Sequence, residues 1–203
     1  MIDVEDTSAI RILTLNRPEK ANSLTKDMLL GLEDAVRSVP VGTKALILTG
    51  AGKVFSAGAD LDAAKAGLTT DPIWEAVSAA VAAFPGLSVA ALNGTLAGGA
   101  FGLALASDIR ISVAGANFFY PVMKLGFLPQ PSDPPRLKAL VGAARAKCIL
   151  MAGQKINAST ALNWGLIDMI VEPPHLLDEA KTLCGSVQAA DDAHISAIKT
   201  MIG

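Results

Sequence analysis

Cysteine and histidine are scarce in this sequence, which contains two of each among its 203 residues. Cys148 and Cys184 lie far apart in apolar or mixed stretches, so they indicate neither a disulfide framework nor a metal-binding spacing. We therefore expect no metal site. Unpaired thiols are typical of proteins in a reducing compartment, which predicts a cytoplasmic location.

Positive charge is also in short supply, because 17 Lys and Arg residues face 19 Asp and Glu residues and leave a net charge of −2. Without a large basic field, we expect no nucleic-acid partner. Residues 1–6 are acidic where a secretory signal would be basic. The apolar stretch 89–106 is interrupted by Asn-Gly and Gly-Gly and lacks basic or aromatic flanks, so we expect no membrane span.

Several common catalytic signatures are missing. No G-x-S-x-G segment supplies the nucleophile of a serine hydrolase. Residues 49–53 read TGAGK, but the Ser or Thr of a P-loop does not follow the lysine. No third glycine completes a dinucleotide-binding G-x-G-x-x-G either. These absences argue against a serine hydrolase and a nucleotide-binding protein.

What the chain does contain is apolar periodicity, with 51% hydrophobic residues. Residues 10–15 nearly alternate and predict a strand, and residues 45–49 read as a strand buried on both faces. Between them, Thr25 can cap a helix whose apolar residues recur at helical spacing. This strand–helix–strand order is typical of parallel α/β proteins.

The remaining pattern continues the same alternation of strands and helices. We predict further strands at residues 89–92, 109–113, 118–120 and 167–171. We predict further helices at residues 73–84, 137–151, 160–164, 176–187 and 194–202. Residues 62–72 are small and polar, and we expect them to form a mobile flap over a site.

Two turns rich in glycine and alanine organise the chain. Residues 54–61 read VFSAGADL and residues 93–100 read NGTLAGGA, and each stretch follows an apolar run that predicts a buried strand. Such turns suit a place where the backbone approaches a ligand closely. Two of them at neighbouring strand ends could aim two backbone N–H groups at one oxygen, which is the geometry of an oxyanion hole.

These two turns resemble those of the crotonase family, also called the enoyl-CoA hydratase/isomerase family. The resemblance extends over roughly residues 10–175 and includes segments at residues 16–24, 107–111, 121–126, 136–146 and 161–167. It implies an α/β fold, a right-handed spiral of ββα units, in which the family's further C-terminal helices are truncated. It divides a single domain into a spiral core at 1–175 and a C-terminal helical segment at 176–203. It also implies a homotrimer or a dimer of trimers.

The resemblance assigns roles to individual positions. The backbone N–H groups of Ala59 and Gly99 match the pair that holds the thioester oxygen in the family. Coenzyme A is then part of the substrate, and no prosthetic group is implied. The positions implied to bind the acyl-CoA are Lys20, Ala21, Ser56, Ala57, Asp60, Leu61, Gly98, Pro121, Val122 and Gly126.

The sequence departs from the family at its acid–base residues. Relatives that hydrate enoyl-CoA use two glutamates, and the matching positions here are Gly102 and Val122. Because water addition needs one group to activate water and one to deliver a proton, these replacements argue against hydration by paired glutamates. A third family position, in the loop at residues 127–135, corresponds to Gln130, whose amide is a poor base.

The other candidates for acid–base work are individually weak. Asp133 lies three residues past Gln130 and could reach the cavity, although an exposed turn is the alternative position. Tyr120 could donate a proton, although its ring also suits core packing. We expect His175 and His194 to lie at the surface.

Two functions remain open. The first is an enzyme that stabilises an acyl-CoA enolate, with isomerase, decarboxylase or thioester hydrolase chemistry. The second is a non-catalytic acyl-CoA-binding or regulatory protein that retains the pocket without the chemistry. The two oxyanion turns favour the first function, and the residues at Gly102 and Val122 favour the second.

Overall fold

The computed structural model describes residues 1–202, which form two β-sheets surrounded by helices. The strands are β1 (Ile2–Thr7), β2 (Ile10–Leu15), β3 (Ala45–Gly50), β4 (Val54–Ser56), β5 (Leu87–Leu92), β6 (Thr95–Ala97), β7 (Ile109–Val113), β8 (Asn117–Phe119), β9 (Ile156–Asn157) and β10 (Met169–Val171). The helices are α1 (Lys26–Arg37), α2 (Leu61–Lys65), α3 (Ile73–Ala82), α4 (Phe101–Ala106), α5 (Val122–Leu125), α6 (Asp133–Leu150), α7 (Ala158–Trp164), α8 (Leu176–Leu183), α9 (Gly185–Ala189) and α10 (Asp192–Ile202). Short 3₁₀ turns occur at Pro18–Lys20, Leu68–Thr70, Gly98–Ala100 and Pro173–His175.

The larger sheet has six strands in the order β1-β2-β3-β5-β7-β10. Only its first pair, β1 with β2, is antiparallel, and the other neighbours run parallel. The smaller sheet has the order β4-β6-β8-β9, in which β9 alone is antiparallel to its neighbour. The parallel sheets confirm the predicted fold class.

The chain repeats one path as it moves through the two sheets. It passes from β3 to β4 and then to α2 and α3, from β5 to β6 and then to α4, and from β7 to β8 and then to α5 and α6. Each repeat supplies one strand to each sheet before a helix covers them. This is the spiral of ββα units that the sequence predicts.

The core explains why β3 is apolar throughout. Residues 45–48 of β3 are at most 2% exposed, because sheet neighbours flank the strand and helices cover its faces. Helix α1 buries Met28, Leu32 and Val36, which recur on one face at four-residue spacing. Thr25 caps α1 by accepting a hydrogen bond from the Met28 N–H at 3.3 Å.

Several predicted elements differ from the structure by one or two residues at an end, and three differ by more. Helix α6 begins at Asp133 rather than 137, because two prolines occupy its first turn, where the missing N–H groups have no helical partner. Gly142, with φ of +80°, kinks that helix. The helix predicted at 176–187 divides into α8 and α9 at Cys184. The segment predicted as a flap contains α2 and the Leu68–Thr70 turn, and Leu68 is buried.

Among residues 1–202, no helix combines the length and apolar character needed to cross a bilayer.

Candidate active site

Three neighbouring strands of the smaller sheet end at the same edge. Strands β4, β6 and β8 run parallel, with Ser56 paired to Leu96 and Ala97 paired to Phe119. Because the strands share one direction, the turns that follow them lie side by side. The structure therefore brings together residues 57–60, 98–100 and 120–122.

The first two of these turns touch through their backbones. Gly58 has φ of +89°, and a Cβ atom there would lie 2.9 Å from the carbonyl oxygen of Ala97. Gly98 has φ of +58°, and its Cβ would lie 3.5 Å from the Cα of Gly58. Residue 58 must therefore be glycine, because its positive φ and its close contact with Ala97 both disfavour a side chain.

The N–H of Ala59 points away from Leu24, the residue that pairs with this turn. Leu24 pairs with this turn, donating its N–H to Gly58 O at 2.7 Å and accepting the Asp60 N–H at 2.8 Å. In extended backbone, consecutive N–H groups alternate in direction, so the Ala59 N–H faces the side opposite Leu24.

The second predicted donor, Gly99, lies in the Gly98–Ala100 turn at the start of α4. The first N–H groups of a helical segment have no partner within it, so they are available to a ligand. A Cβ atom at Gly99 would lie 3.1 Å from the indole ring of Trp74. Both Ala59 and Gly99 are half-buried, which leaves them reachable from solvent.

Buried polar side chains hold the first turn in shape. The Ser56 hydroxyl donates to Asn22 O at 2.8 Å and accepts the Gly58 N–H at 3.1 Å. The Asn22 amide donates to Ala51 O at 2.9 Å and to Val54 O at 2.7 Å. Ser56 is fully buried, so its side chain supports the turn from within, and its place in the acyl-CoA site remains a prediction.

Asp60 is similarly occupied in organising the turn. Its Oδ1 accepts the N–H groups of Asp62 and Ala63 and caps α2, while its Oδ2 lies 2.8 Å from Arg17 Nη1. The Arg17 guanidinium and these N–H groups hold the pKa of the carboxyl below its usual value. Asp60 is therefore a stable anion at the mouth of the turn.

The other predicted coenzyme A positions lie around the same turn. The carbonyl of Ala21 accepts the Ala57 N–H at 3.0 Å, which places the exposed Lys20 and Ala57 close together. Leu61 is 78% exposed at the start of α2. These residues present an open surface beside the Ala59 N–H.

Residues predicted near the acyl group follow β8. Pro121 precedes α5, Val122 is buried, and Gly126 ends α5 with φ of +75°. Val122 supplies an apolar side chain where hydratases of the family have a glutamate. No proton donor therefore comes from this position.

Asp133 is not in an exposed turn, and that sequence-based alternative is wrong. It is 1% exposed at the start of α6, and its Oδ2 accepts the hydroxyl hydrogen of Tyr120 at 2.9 Å. The ring of Tyr120 is also buried and lies 5.4 Å from that of Phe101, centroid to centroid. Tyr120 therefore combines core packing with a polar contact.

The carboxyl of Asp133 lies directly against Gly102. A Cβ atom at Gly102 would be 3.0 Å from Asp133 Oδ1 and 3.6 Å from the Cβ of Ser78. Oδ1 is the one buried side-chain N or O atom among residues 1–202 without a hydrogen-bond partner. The missing side chain on α4 thus leaves space that a carboxyl from α6 fills.

Burial dominates the electrostatics of this carboxyl and raises its pKa to about 7. The Tyr120 hydrogen bond and the charge of Arg136 lower the pKa, and the charge of Glu75 raises it. Burial, followed by the charge of Asp133, raises the pKa of Tyr120 above its usual value. Tyr120 therefore remains a hydrogen-bond donor.

Gln130 is placed near these groups, but its side chain has another partner. Its amide nitrogen donates to Thr69 O at 3.3 Å, and its backbone oxygen accepts the Asp133 N–H at 3.0 Å. Gln130 thus links the Leu68–Thr70 turn to the start of α6. Its predicted role in orienting water or a carbonyl remains a prediction.

Trp74 contributes to the site in a way that the sequence alone does not predict. Its indole N–H donates to Leu68 O at 2.7 Å, and its ring lies over Gly99. Asn93 was also missed as a support: its Oδ1 accepts the Gly50 N–H at 3.0 Å and its amide donates to Gly52 O at 3.0 Å. The sequence signals for these roles were the position of Trp74 at the start of a predicted helix and that of Asn93 after a predicted strand.

Two sheets wound through repeated ββα units, with glycine-rich turns at neighbouring strand ends, define a protein of the crotonase fold class. Among solved structures, enoyl-CoA hydratase from Bacillus anthracis has a TM-score of 0.90 at 29% identity, covering 99% of this chain and 81% of that one. Pseudomonas aeruginosa DspI has a TM-score of 0.91 at 31% identity, with 99% and 85% covered.

The sequence comparisons identify the family. The enoyl-CoA hydratase/isomerase family model matches residues 5–202. Crotonyl-CoA hydratase of Syntrophomonas wolfei is 35% identical, over 92% of this chain and 75% of the relative. The 1,2-epoxyphenylacetyl-CoA isomerase of Escherichia coli is 31% identical, over 95% and 78%. The chain belongs to the enoyl-CoA hydratase/isomerase family, whose ligands are acyl-CoA thioesters.

Proposed function

We propose that this protein is an enzyme that binds an acyl-CoA thioester and stabilises its enolate. The observation that carries the proposal is the backbone contact between the Gly58 and Gly98 turns. The contact supports our assignment of the next residue of each turn, Ala59 and Gly99, to adjacent positions. Their N–H groups are the two donors that we assign to the thioester oxygen.

Such donors act mainly on the transition state. Negative charge grows on the thioester oxygen as the α-carbon loses a proton or a leaving group, and pre-oriented N–H groups stabilise that charge. Loss of one donor typically raises the barrier by about 3 kcal/mol. Glycine-rich backbone can supply these donors without any side chain, which suits the composition of both turns.

We place the coenzyme A portion beside the first turn. Lys20 and Leu61 are exposed there, and a lysine can pair with a phosphate while a leucine covers an apolar linker. The Asp60 carboxylate stays with Arg17, so we assign it to holding the turn rather than to a direct ligand bond.

The acid–base residues favour chemistry other than hydration. Gly102 and Val122 cannot move a proton, so a pair of glutamates does not activate and deliver water. Isomerisation, decarboxylation and thioester hydrolysis remain, and some of these reactions need fewer protein acids because the substrate supplies the leaving group. A relative named as an isomerase and a relative named as a hydratase have similar sequence identity to this chain. We therefore infer the reaction from the residues at Gly102 and Val122 rather than from sequence identity.

A pair of ligands tests the oxyanion site. Calorimetry would compare a butyryl thioester of coenzyme A with butyl-CoA, the thioether that lacks the carbonyl oxygen. Two hydrogen bonds of about 1 kcal/mol each predict roughly 10-fold or greater tighter binding of the thioester. Equal affinities would contradict the assignment of Ala59 and Gly99.

Exchange and turnover separate the enzyme from the binding protein. Enolate formation predicts that deuterium from D₂O enters the α-carbon of bound butyryl-CoA, as followed by NMR. Turnover would be assayed with a panel of unsaturated, carboxylated and saturated acyl-CoAs. Tight binding without exchange or turnover would establish the alternative, a non-catalytic acyl-CoA-binding or regulatory protein. No binding would exclude both.

We also propose that the protein assembles as a homotrimer or a dimer of trimers, as the family resemblance implies. Helix α10 exposes Ile198, Met201 and Ile202, which are suitable for burial against another subunit. Light scattering coupled to size-exclusion chromatography measures the mass directly, and a monomeric mass would contradict this proposal.

A further inference from the structure

We propose that Asp133 is the proton-transfer residue of this site and that its carboxyl functionally replaces the side chain absent at Gly102. This inference rests on the acyl-CoA function proposed above. It assigns the reaction as migration of a carbon–carbon double bond in a β,γ-unsaturated acyl-CoA.

Gly99 and Gly102 lie close together at the start of α4. Gly102 follows Gly99 by three residues, and residues three apart lie on the same helical face. A side chain at Gly102 would therefore extend from the face that carries the Gly99 donor. Asp133 Oδ1 lies 3.0 Å from the position of its Cβ, so the carboxyl is next to the proposed oxyanion site.

The hydrogen bonding of the carboxyl is asymmetric. Oδ2 accepts the Tyr120 hydroxyl, whereas Oδ1 is buried without any partner. Buried polar atoms are nearly always hydrogen-bonded, so an unpartnered one needs an explanation, of which a water, a bound ligand and a catalytic role are the usual ones. Tyr120 fixes one oxygen and leaves the other, on the Gly102 side, without a hydrogen-bond partner.

The neighbouring groups come from two helices and the end of β8. Glu75 and Ser78 face the cluster from α3, Arg136 lies one turn along α6, and Tyr120 follows β8. Arg136 hydrogen-bonds to the hydroxyl groups of Ser78 and Ser132 and forms no ion pair with Asp133. The carboxyl therefore has no directly bonded cation that would hold it permanently ionised.

One such group is sufficient for double-bond migration. Asp133 Oδ1 takes a proton from the α-carbon, and the electrons of that C–H bond form a dienolate whose oxygen the Ala59 and Gly99 N–H groups hold. The new Asp133 O–H then delivers its proton to the γ-carbon. The double bond moves from β,γ to α,β, and the carboxylate is regenerated without water or another reactant.

The pKa of about 7 supports this double role, because a carboxyl with that pKa both accepts and donates protons near neutral pH. An ordinary exposed carboxylate is almost fully ionised at pH 7 and is a poor proton donor. The Tyr120 hydroxyl acts through Asp133, as a positioning residue.

The test compares Asp133→Asn with Asp27→Asn, which changes an exposed carboxylate in the first turn of α1. The substrate is 3-butenoyl-CoA, and the readouts are its conversion to crotonyl-CoA, exchange of its α-protons in D₂O and its binding by calorimetry. We expect Asp133→Asn to lose roughly 10²-fold or more in kcat. Affinity should change by less than about threefold, and Asp27→Asn should match the wild type.

Two further variants keep the proposal testable if Asp133→Asn is poorly folded. Tyr120→Phe removes the hydrogen bond that lowers the pKa of Asp133, so the rise of kcat with pH should move to higher pH. Gly102→Ala places a methyl group 3.0 Å from Oδ1 and should lower kcat while leaving the fold intact.

The outcomes distinguish the proposed role of Asp133 from the proposed acyl-CoA function on which it rests. Full kcat in Asp133→Asn, or binding without isomerisation by the wild type, would overturn the role of Asp133 and leave the acyl-CoA site standing. An unchanged pH profile in Tyr120→Phe would likewise count against it. Failure of the wild type to bind any acyl-CoA would overturn the proposed function itself.

Discussion

Tyr120 donates its hydroxyl hydrogen to Asp133 over 2.9 Å, and this buried bond joins the end of β8 to the start of α6. Thirteen residues of chain separate the two side chains. The bond fixes where α6 begins relative to the smaller sheet. It also fixes the direction of a carboxyl that burial holds near a neutral pKa, so stability and pH are linked at this point.

The first prediction concerns the pH dependence of stability. Asp133 has a folded-state pKa of about 7, above its unfolded value of 3.8. The stability that it contributes is complete below 3.8 and is lost as pH rises through 7. Asp133→Asn removes this loss, so its free energy of unfolding relative to the wild type should increase between pH 4 and 7, by as much as about 4 kcal/mol.

Urea unfolding at pH 5, 6, 7 and 8 measures this difference directly. Asp27→Asn, which alters an exposed carboxylate, serves as the control and should show a nearly constant offset from the wild type. An offset that is also constant for Asp133→Asn would mean that the carboxyl ionises alike in the folded and unfolded chains.

The second prediction concerns the space at Gly99. Gly99→Ala would place a methyl group 3.1 Å from the Trp74 ring, which is buried in the core. We expect a loss of roughly 1–3 kcal/mol in the free energy of unfolding from this overpacking. Turnover should fall by more than tenfold because the proposed N–H donor moves, as measured with the best acyl-CoA of the panel.

Gly31→Ala provides the matched control, because it lies in the exposed interior of α1 with no atom within 4 Å of the added Cβ. It should stabilise the protein by roughly 0.5–1 kcal/mol, the usual gain of alanine over glycine in a helix, without affecting turnover. Similar losses in both variants would point to a general intolerance of substitution.

The third prediction concerns the loop between β3 and β4. Asn93→Ala removes hydrogen bonds to the N–H of Gly50 and to the carbonyls of Gly52 and Val54. We expect the free energy of unfolding to fall by about 2 kcal/mol. Acyl-CoA affinity should also decrease, because this loop leads directly into the Ala59 turn.

The control for that variant is Asn163→Ala, at an exposed position in α7. Such a surface change should stay within about 0.5 kcal/mol of the wild type. Unfolding in urea and calorimetry of acyl-CoA binding supply both measurements. Equal effects of the two asparagine substitutions would show that the loop does not depend on the Asn93 amide.

The fourth prediction concerns the Leu68–Thr70 turn. Trp74→Phe keeps an aromatic ring but removes the indole N–H that bonds to Leu68 O. Hydrogen exchange of the amides in residues 66–71 should accelerate by roughly tenfold, which corresponds to one lost hydrogen bond. Trp164→Phe, in α7, should leave exchange in this segment unchanged. Equal exchange rates of residues 66–71 in both variants would show that the indole N–H does not stabilise the predicted flap.

The order of strands and helices is predictable from the sequence because it depends on local signals. Apolar runs bounded by glycine and proline mark the strands, and Thr25 with the apolar spacing of Met28 and Leu32 marks α1. The Gly58 and Gly98 turns are recognisable for the same reason: the conformations and contacts there require glycine. These features arise from neighbours along the chain.

The environment of Asp133 depends on contacts that are distant in sequence. Two prolines follow it, so the segment resembles a loop although they occupy the first turn of α6. The carboxyl is buried because Tyr120 and Gly102 come from two other elements. The packing of Trp74 over Gly99 and the network around Asn93 are likewise unreadable without knowing which strands are neighbours.

Because Asp133 fills the space beside Gly102, the effect of a substitution at either position depends on the residue at the other. A glutamate introduced there would enter the volume that Asp133 already occupies and would set two carboxylates side by side in a buried environment. A glutamate at Gly102 would thus compete for space with the carboxyl that we propose as the proton-transfer group. A pair of glutamates at Gly102 and Val122 would require coordinated replacement on α4, α5 and α6, so no single substitution would install it.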